Sequence, residues 1–251
     1  MSQLHKAIGR TQRREGPRLG FGPTSREQPR AMLAIVMAGN AKDASAAFEA
    51  GADAVILGGS AAAVATAVKS VAPKGACVGA LVPSLDVAGA EALHKAGCDF
   101  AVSTLDGTAA AALDTEQMGH VLSIEGTIED NVLRALGPLG LDALYVAGSA
   151  PSMTVAGQVE LVRLASFSGT PLLVGVEPGI GASDLRVLRD SGAVGAIAPQ
   201  GTTAGQVKAL VEALKAVPPP KRSRREGSDI ALVPAVGRPA EEEDHEHEDD
   251  D

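Results

Sequence analysis

The sequence predicts an α/β protein, a (β/α)8 TIM barrel, because one motif recurs four times and a second series of short apolar runs interleaves with it. "FEAGADAVILGG", ending at Gly59, returns as "HKAGCDFAVSTLD", "LGPLGLDALYVAG" and "LRDSGAVGAIAP". Their glycines Gly51, Gly97, Gly140 and Gly192 lie 46, 43 and 52 residues apart, each the length of two βα units. Between them come Met32–Asn40, Cys77–Ser84, His120–Thr127 and Thr170–Gly179, β-branched runs ending in Gly, Pro or a small polar residue, as strands do.

Helical patterns join these strands in order. "AKDASAAFEAG" follows the first strand, "SAAAVATAVKSVAPKG" the second and "LDVAGAEALHKAG" the third. Residues 108–118 hold a short fourth helix, and "EDNVLRALGPLG", "TVAGQVELVRLASFSG", "ASDLRVLRDSG" and "TAGQVKALVEALKAV" complete the series. Most end at a glycine suited to a helix C-terminus. Eight strand–helix units over residues 31–217 make a compact barrel against the typical length of about 250 residues. An open doubly wound sheet is the alternative. The even repetition disfavours it, since an open sheet needs edge strands and a switch point.

Composition removes several classes of function. Of 251 residues, 45% are apolar, but only 2% are aromatic and none is Trp, which leaves little for stacking nucleic-acid bases or caging cations. Cys77 and Cys98 lack the density and spacing of a disulfide framework or zinc knuckle, and they read as small buried thiols in a reducing cytoplasm. The longest charge-free apolar stretch, Ala54–Val68, is too short and too glycine-broken to span a bilayer, so no membrane role is expected. The basic N-terminus has no apolar core of the kind a secretory signal needs.

Charge divides the chain into three parts. Residues 1–30 hold seven basic and two acidic side chains and read as a disordered arm, with Phe21 a candidate to plug the barrel bottom. The barrel, 31–217, holds ten basic and eighteen acidic side chains. Residues 218–251, a Pro/basic linker and then an acidic run, read as a disordered tail in which His245 and His247 are loose metal candidates. The acidic barrel argues against nucleic acid as the partner of the basic arm. Oppositely charged ends suit a homo-oligomer.

In such a barrel the chemistry sits at the C-terminal strand ends. Aligning "VMAGN", "ALVPS", "SIEGT" and "GVEPG" on their terminators sets Ala38, Val82, Glu125 and Glu177 at equivalent positions. Leu33, Ile35 and Met37, then Leu122 and Ile124, then Leu172, Val174 and Val176, are the bulky partners expected to face the helices. Glu125 and Glu177 are then expected in the mouth, joined by Asp106 from "STLDG". Converging carboxylates suit either Mg²⁺ or Mn²⁺ binding or general acid and base work. A single carboxylate that merely hydrogen-bonds a loop is the bland alternative.

"EPGIGASDL" and "APQGTTAGQ" put Gly179, Gly181, Gly201, Thr202 and Thr203 just before helix N-termini, where free N–H groups favour an anion. Through "EAGADAVILGG" and "PGIGASDLRVLRDSGAVGAIAP", residues 32–217 resemble the phosphate-binding (β/α)8 barrels of the ribulose-phosphate-binding superfamily. The resemblance implies a substrate phosphate between the last two loops, contacted by the backbone of Gly179, Gly181 and Gly201. "APQG" departs from the Gly-Ser or Gly-Thr step usual there. Structural glycine turns account for these residues equally well.

Absences narrow the chemistry. No lysine falls on a predicted strand, and Lys42 alone occupies an early upper loop, so a Schiff-base aldolase has no candidate. Few aromatic or basic residues exist to hold a flavin ring, which disfavours FMN. His94 and His120 fall away from the mouth and read as structural. Asp53, Asp99 and Asp142 begin even-numbered strands and read as turn and capping residues. Two functions follow as expectations: a lyase or isomerase acting on a small phosphorylated or carboxylated metabolite, and a non-catalytic barrel that assembles with partners through its charged ends.

Overall fold

Eight short, largely apolar runs pair in parallel and in sequence order, and the last returns to the first. The strands are β1 (Leu33–Ala38), β2 (Ala54–Gly58), β3 (Val78–Leu81), β4 (Phe100–Thr104), β5 (Gly119–Ile124), β6 (Ala143–Val146), β7 (Leu172–Gly175) and β8 (Ala193–Ala198). The helices are α1 (Gln3–Gln12), α2 (Ala41–Glu49), α3 (Ala61–Val68), α4 (Val87–Lys95), α5 (Asp130–Leu136), α6 (Val155–Ser168), α7 (Ala182–Asp190) and α8 (Ala204–Lys215). This computed structural model describes residues 2–12, 30–71, 73, 75–148 and 153–219. Phe21, the acidic tail, His245 and His247 lie outside the described residues. No described helix is long and apolar enough to cross a membrane.

Alternation along the strands splits the core in two. Ile35, Ile56, Phe100, Val121, Leu173 and Ile197 fill the barrel, while residues such as Val36, Val78, Leu122, Leu144, Val174 and Ala196 form the layer beneath the helices. Phe100 occupies so much of the interior that a Cβ at Gly79 would lie 2.3 Å from its ring. Cys77 and Cys98 are free and buried, and burial holds the Cys98 thiol up at about 12, so it stays protonated and unreactive.

The expectation of a disordered arm fails over residues 3–12, which form α1. The helix turns Leu4 and Ile8, one turn apart, into the interior cluster, and they are 0% and 4% exposed. Asp99 receives its free N-terminal amides, from Gln3 N at 2.8 Å and Leu4 N at 2.9 Å. Asp142 accepts from Ser2 Oγ at 2.6 Å and meets His5 Nδ1 at 2.9 Å. Asp53 takes the Ala34 amide at 2.7 Å and pairs with Arg30. The expected capping role holds for Asp99, which caps α1; Asp142 holds the same helix through the side chains of Ser2 and His5, and Asp53 instead ties the β1 amide of Ala34 to Arg30.

After β4 the short fourth helix contracts to one 3-10 turn, Ala110–Ala112. Asp114 Oδ1 accepts from the amides of Glu116 and Gln117, a local bond that competes with helix. A cavity of about 100 Å³ remains between α4 and β5, lined by both His94 and His120. His120 points outward from β5, is 1% exposed, and neither ring nitrogen makes a hydrogen bond of normal geometry. Burial holds its pKa below the usual value, against the opposing pull of the Asp114 backbone and the charges of Asp142 and Asp114.

Two outcomes follow. Leu4→Ala should cost about 2–5 kcal/mol in urea denaturation, as core truncations do, whereas a dispensable α1 would leave the midpoint unchanged. Because His120 is held neutral in the fold, the unfolded chain binds more protons below its ordinary pKa of 6.5. That stability is complete above the ordinary value and declines as pH falls towards the folded one, by at most about 1.4 kcal/mol per pH unit. His120→Leu should flatten this slope between about pH 5 and 7, and an unchanged slope would show that other groups set it.

Candidate functional site

On β5, Val121 points into the barrel while Leu122 and Ile124 pack under the helices, so the next inward position past the strand is Glu125. On β7, Leu173 points in while Leu172, Val174 and Val176 point out, and the same step brings Glu177 to the mouth. Both glutamates are exposed. Ser123 pairs with Tyr145 and Tyr145 with Leu173, which carries Glu125 across to Ala147 and then Gly175. Strand tilt raises a horizontal layer by about one residue per strand, so Glu125 and Glu177 share the top layer.

Their expected layer-mates are corrected. Leu33 and Ile35 belong to the interior cluster with Met37 packed against it, so β1 faces the opposite way and Ala38 points to the helices. Val82 likewise belongs to the outer layer. Gly39 and Pro83 therefore take those places. "LAIVMA" is apolar on both faces, so its pattern carries no facing, and alignment on the terminators slipped by one residue. Asp106 lies in the exposed turn Leu105–Gly107 beyond β4. Among the described residues no three His, Cys, Asp or Glu side chains gather as a metal site.

Tyr145, the only tyrosine of the chain, was missed by the sequence reading although its alternation with Ala143 pointed inward. It is 8% exposed, and burial, reinforced by the Glu125 charge, raises its phenol pKa. It stays protonated at neutral pH and offers a hydrogen-bond donor beneath a carboxylate.

The two Gly-rich loops are built alike. Ile180 N bonds to Glu177 O at 3.2 Å and Thr202 N to Pro199 O at 3.3 Å, closing turns whose third residues, Gly179 and Gly201, have φ of 93° and 87°. That left-handed backbone explains both glycines without any ligand. Gly181 is different. Its φ is −80° and a Cβ there would meet no neighbour nearer than 3.6 Å, so nothing in the fold demands glycine. It is also the N-cap of α7, which has no side-chain cap, whereas Asn40, Ser60, Asp86, Thr154 and Thr203 cap their helices with side-chain bonds. The first amides of α7 are left for an outside acceptor.

Two hollows lie at the C-terminal end of the strands. One of about 260 Å³ is wedged between β1, α2 and α8, with Val36, Ala38, Ala47 and Val207 of the outer layer in its walls beside Gly201, Thr202, Thr203 and Asp43; Gly179 and Gly181 are not part of it. The larger, about 750 Å³, opens over the ends of β2, β3 and β4. The mouth is rich in carboxylates, and Asp43 and Asp184 stand near the very amides that would hold an anion.

No protein-family model and no curated protein matches the chain. Solved structures do. A tryptophan synthase structure from Mycobacterium tuberculosis superposes with a TM-score of 0.60 at 14% identity, over 88% of this chain and 99% of that one. Thiamine phosphate pyrophosphorylase from Pyrococcus furiosus gives 0.57 at 15%, over 74% and 96%. 3-Hexulose-6-phosphate synthase gives 0.55 at 18%, over 74% and 99%. At these identities the likeness is one of fold, the (β/α)8 barrel.

The glycines make a test. Gly181→Ser supplies an ordinary cap and should raise stability by a few tenths of a kcal/mol. Gly179→Ala and Gly201→Ala force a side chain into left-handed backbone and should each cost about 1–2 kcal/mol. Chemical denaturation of the three variants decides it; a Gly181→Ser loss as large as the others would show that the fold itself requires that glycine.

Proposed function

We propose that the chain is an enzyme of lyase or isomerase type whose site is the C-terminal mouth of the barrel, acting on a small metabolite with a phosphate or carboxylate group. The observation that carries this reading is the shared layer of Glu125 and Glu177, held on β5 and β7 with the buried Tyr145 below. The anionic group docks at the Gly179–Gly181 turn and the uncapped start of α7, and the next loop, Gly201, Thr202 and Thr203, offers a second face beside its own hollow. Two fold neighbours carry a phosphate in the names of their substrates or products, which supports this substrate class.

The chemistry fits proton transfer at carbon. On an α-hydroxy carbonyl substrate, Glu125 takes the proton from the hydroxyl-bearing carbon while the Tyr145 hydroxyl hydrogen-bonds the enediolate oxygen that forms; the Glu177 carboxylate takes the proton from the other enediol oxygen and passes it to that enediolate oxygen, and protonated Glu125 returns its proton to the former carbonyl carbon. Backbone amides supply the binding energy for the anion, since the inward positions carry no Lys or Arg among the described residues. Among the described residues no three carboxylate, imidazole or thiol ligands converge for Mg²⁺ or Mn²⁺, and no step is assigned to a metal.

A second reading, a barrel that works by holding a protein partner, is favoured by one surface. Val155, Val159 and Val162 form a stripe along α6 and are 77%, 61% and 42% exposed.

Incubation with sugar phosphates in D₂O, followed by NMR, separates the two. The enzyme reading predicts deuterium incorporation at carbon, reduced about 10²–10⁴-fold in Glu125→Gln, together with a rise in thermal midpoint on ligand binding. Absence of exchange and of any thermal shift, with a change of oligomeric state in Val159→Asp, would contradict it and favour the second reading.

A further inference from the structure

We infer that the 750 Å³ hollow over β2–β4 receives the uncharged, apolar part of the ligand, so that the substrate is amphiphilic: an anionic group at the α7 and α8 loops joined to an aliphatic or ring portion. This rests on the reading of the mouth as the site. The floor of the hollow is the barrel rim itself, Gly58 and Leu81, which are paired in register. It is continuous with the layer that Pro83 shares with the two glutamates.

The hollow is preformed. Beyond the ends of β3 and β4 the two loops remain zipped, with Leu85 N to Gly107 O and Ala109 N to Leu85 O both at 2.9 Å and a parallel bridge between Leu85 and Thr108. Thr104 Oγ1 donates to Pro83 O at 2.9 Å and accepts from Gly107 N at 3.1 Å. On the other side Gly59 N bonds to Leu81 O at 3.2 Å, tying the second loop to β3. A pocket with walls fixed in this way loses little on binding.

Its chemistry excludes the anion. No Lys, Arg or His lines it, and its one carboxylate, Asp86, is committed to capping α4 through Gly89 N at 2.7 Å. Ser60 Oγ likewise caps α3 at Ala63 N. What faces the space is mainly aliphatic, from Ala61, Leu81, Pro83 and Ala109, with the buried Val82 and Leu85 behind them. The volume is that of a small-molecule pocket, larger than a phosphate needs. Gly58 gives a second, independent sign. A Cβ there meets nothing within 4 Å and its φ lies outside the left-handed range, so a side chain would enter open space at no backbone cost. In an inward strand position that any larger residue could fill, the missing side chain keeps the hollow open.

The test uses the full chain and three probes: inorganic phosphate, 1-naphthol and 1-naphthyl phosphate, with affinities from fluorescence and calorimetry. The inference predicts that 1-naphthyl phosphate binds at least about tenfold tighter than either part, a difference of about 1.4 kcal/mol. Gly58→Leu and Ala109→Trp, the latter on an exposed residue so that the fold is kept, should each weaken 1-naphthol and 1-naphthyl phosphate about tenfold or more and leave phosphate unchanged. Failure of 1-naphthol to bind, or equal binding by wild type and Ala109→Trp, overturns the inference. Binding of 1-naphthol that both variants abolish, without binding of phosphate, supports the hollow while refuting the anion site proposed above.

Discussion

Closing eight parallel strands into a barrel assigns every strand residue to one of two compartments, and the facing of each strand is fixed by its neighbours rather than by its own sequence. Once Val121 and Leu173 are inside, Glu125 and Glu177 must reach the mouth, and the same rule sends Ala38 and Val82 outward. The interior is filled from below as well. Leu4 and Ile8 complete it, and the aspartates at the start of β4 and β6 turn the exposed bottom of the barrel into a socket for the start of α1.

Much of this was legible. The glycine-spaced repeats announce the barrel because each βα unit must turn back through a helix end where left-handed backbone is cheap, as at Gly51, Gly97, Gly140 and Gly192. The inward direction of Glu125 and Glu177 was legible too, since Leu122, Ile124, Leu172, Val174 and Val176 alternate with them as bulky aliphatics on the opposite face. β1 was not, because both faces of a strand buried between core and helices are apolar. The arm was misread for a related reason. "SQLHKAIGR" buries only two apolar side chains, and its docking depends on carboxylates 96 and 140 residues away, which no local pattern reports.

The glycines separate structure from function more finely than their number suggests. Gly179 and Gly201 are explained by backbone geometry, so the feature that most resembled a phosphate loop in the sequence is the weaker indication. Gly181 and Gly58 are explained by neither geometry nor crowding, and they stand at the uncapped helix start and at the aliphatic hollow. Between them lie two carboxylates and a neutral phenol. The C-terminal end of the barrel therefore offers three chemically distinct surfaces, although its carboxylates oppose any anion bound there and the backbone amides must overcome them.

The central claim, that the barrel mouth is the working surface, is tested most directly by a ¹⁵N–¹H NMR titration of the full chain with inorganic phosphate. The account predicts saturable shifts confined to the amides at the start of α7 and α8, led by Gly181 and Ala182, with α1 and the barrel bottom unmoved. Shifts spread over basic surface side chains, or none at the α7 start, would contradict it.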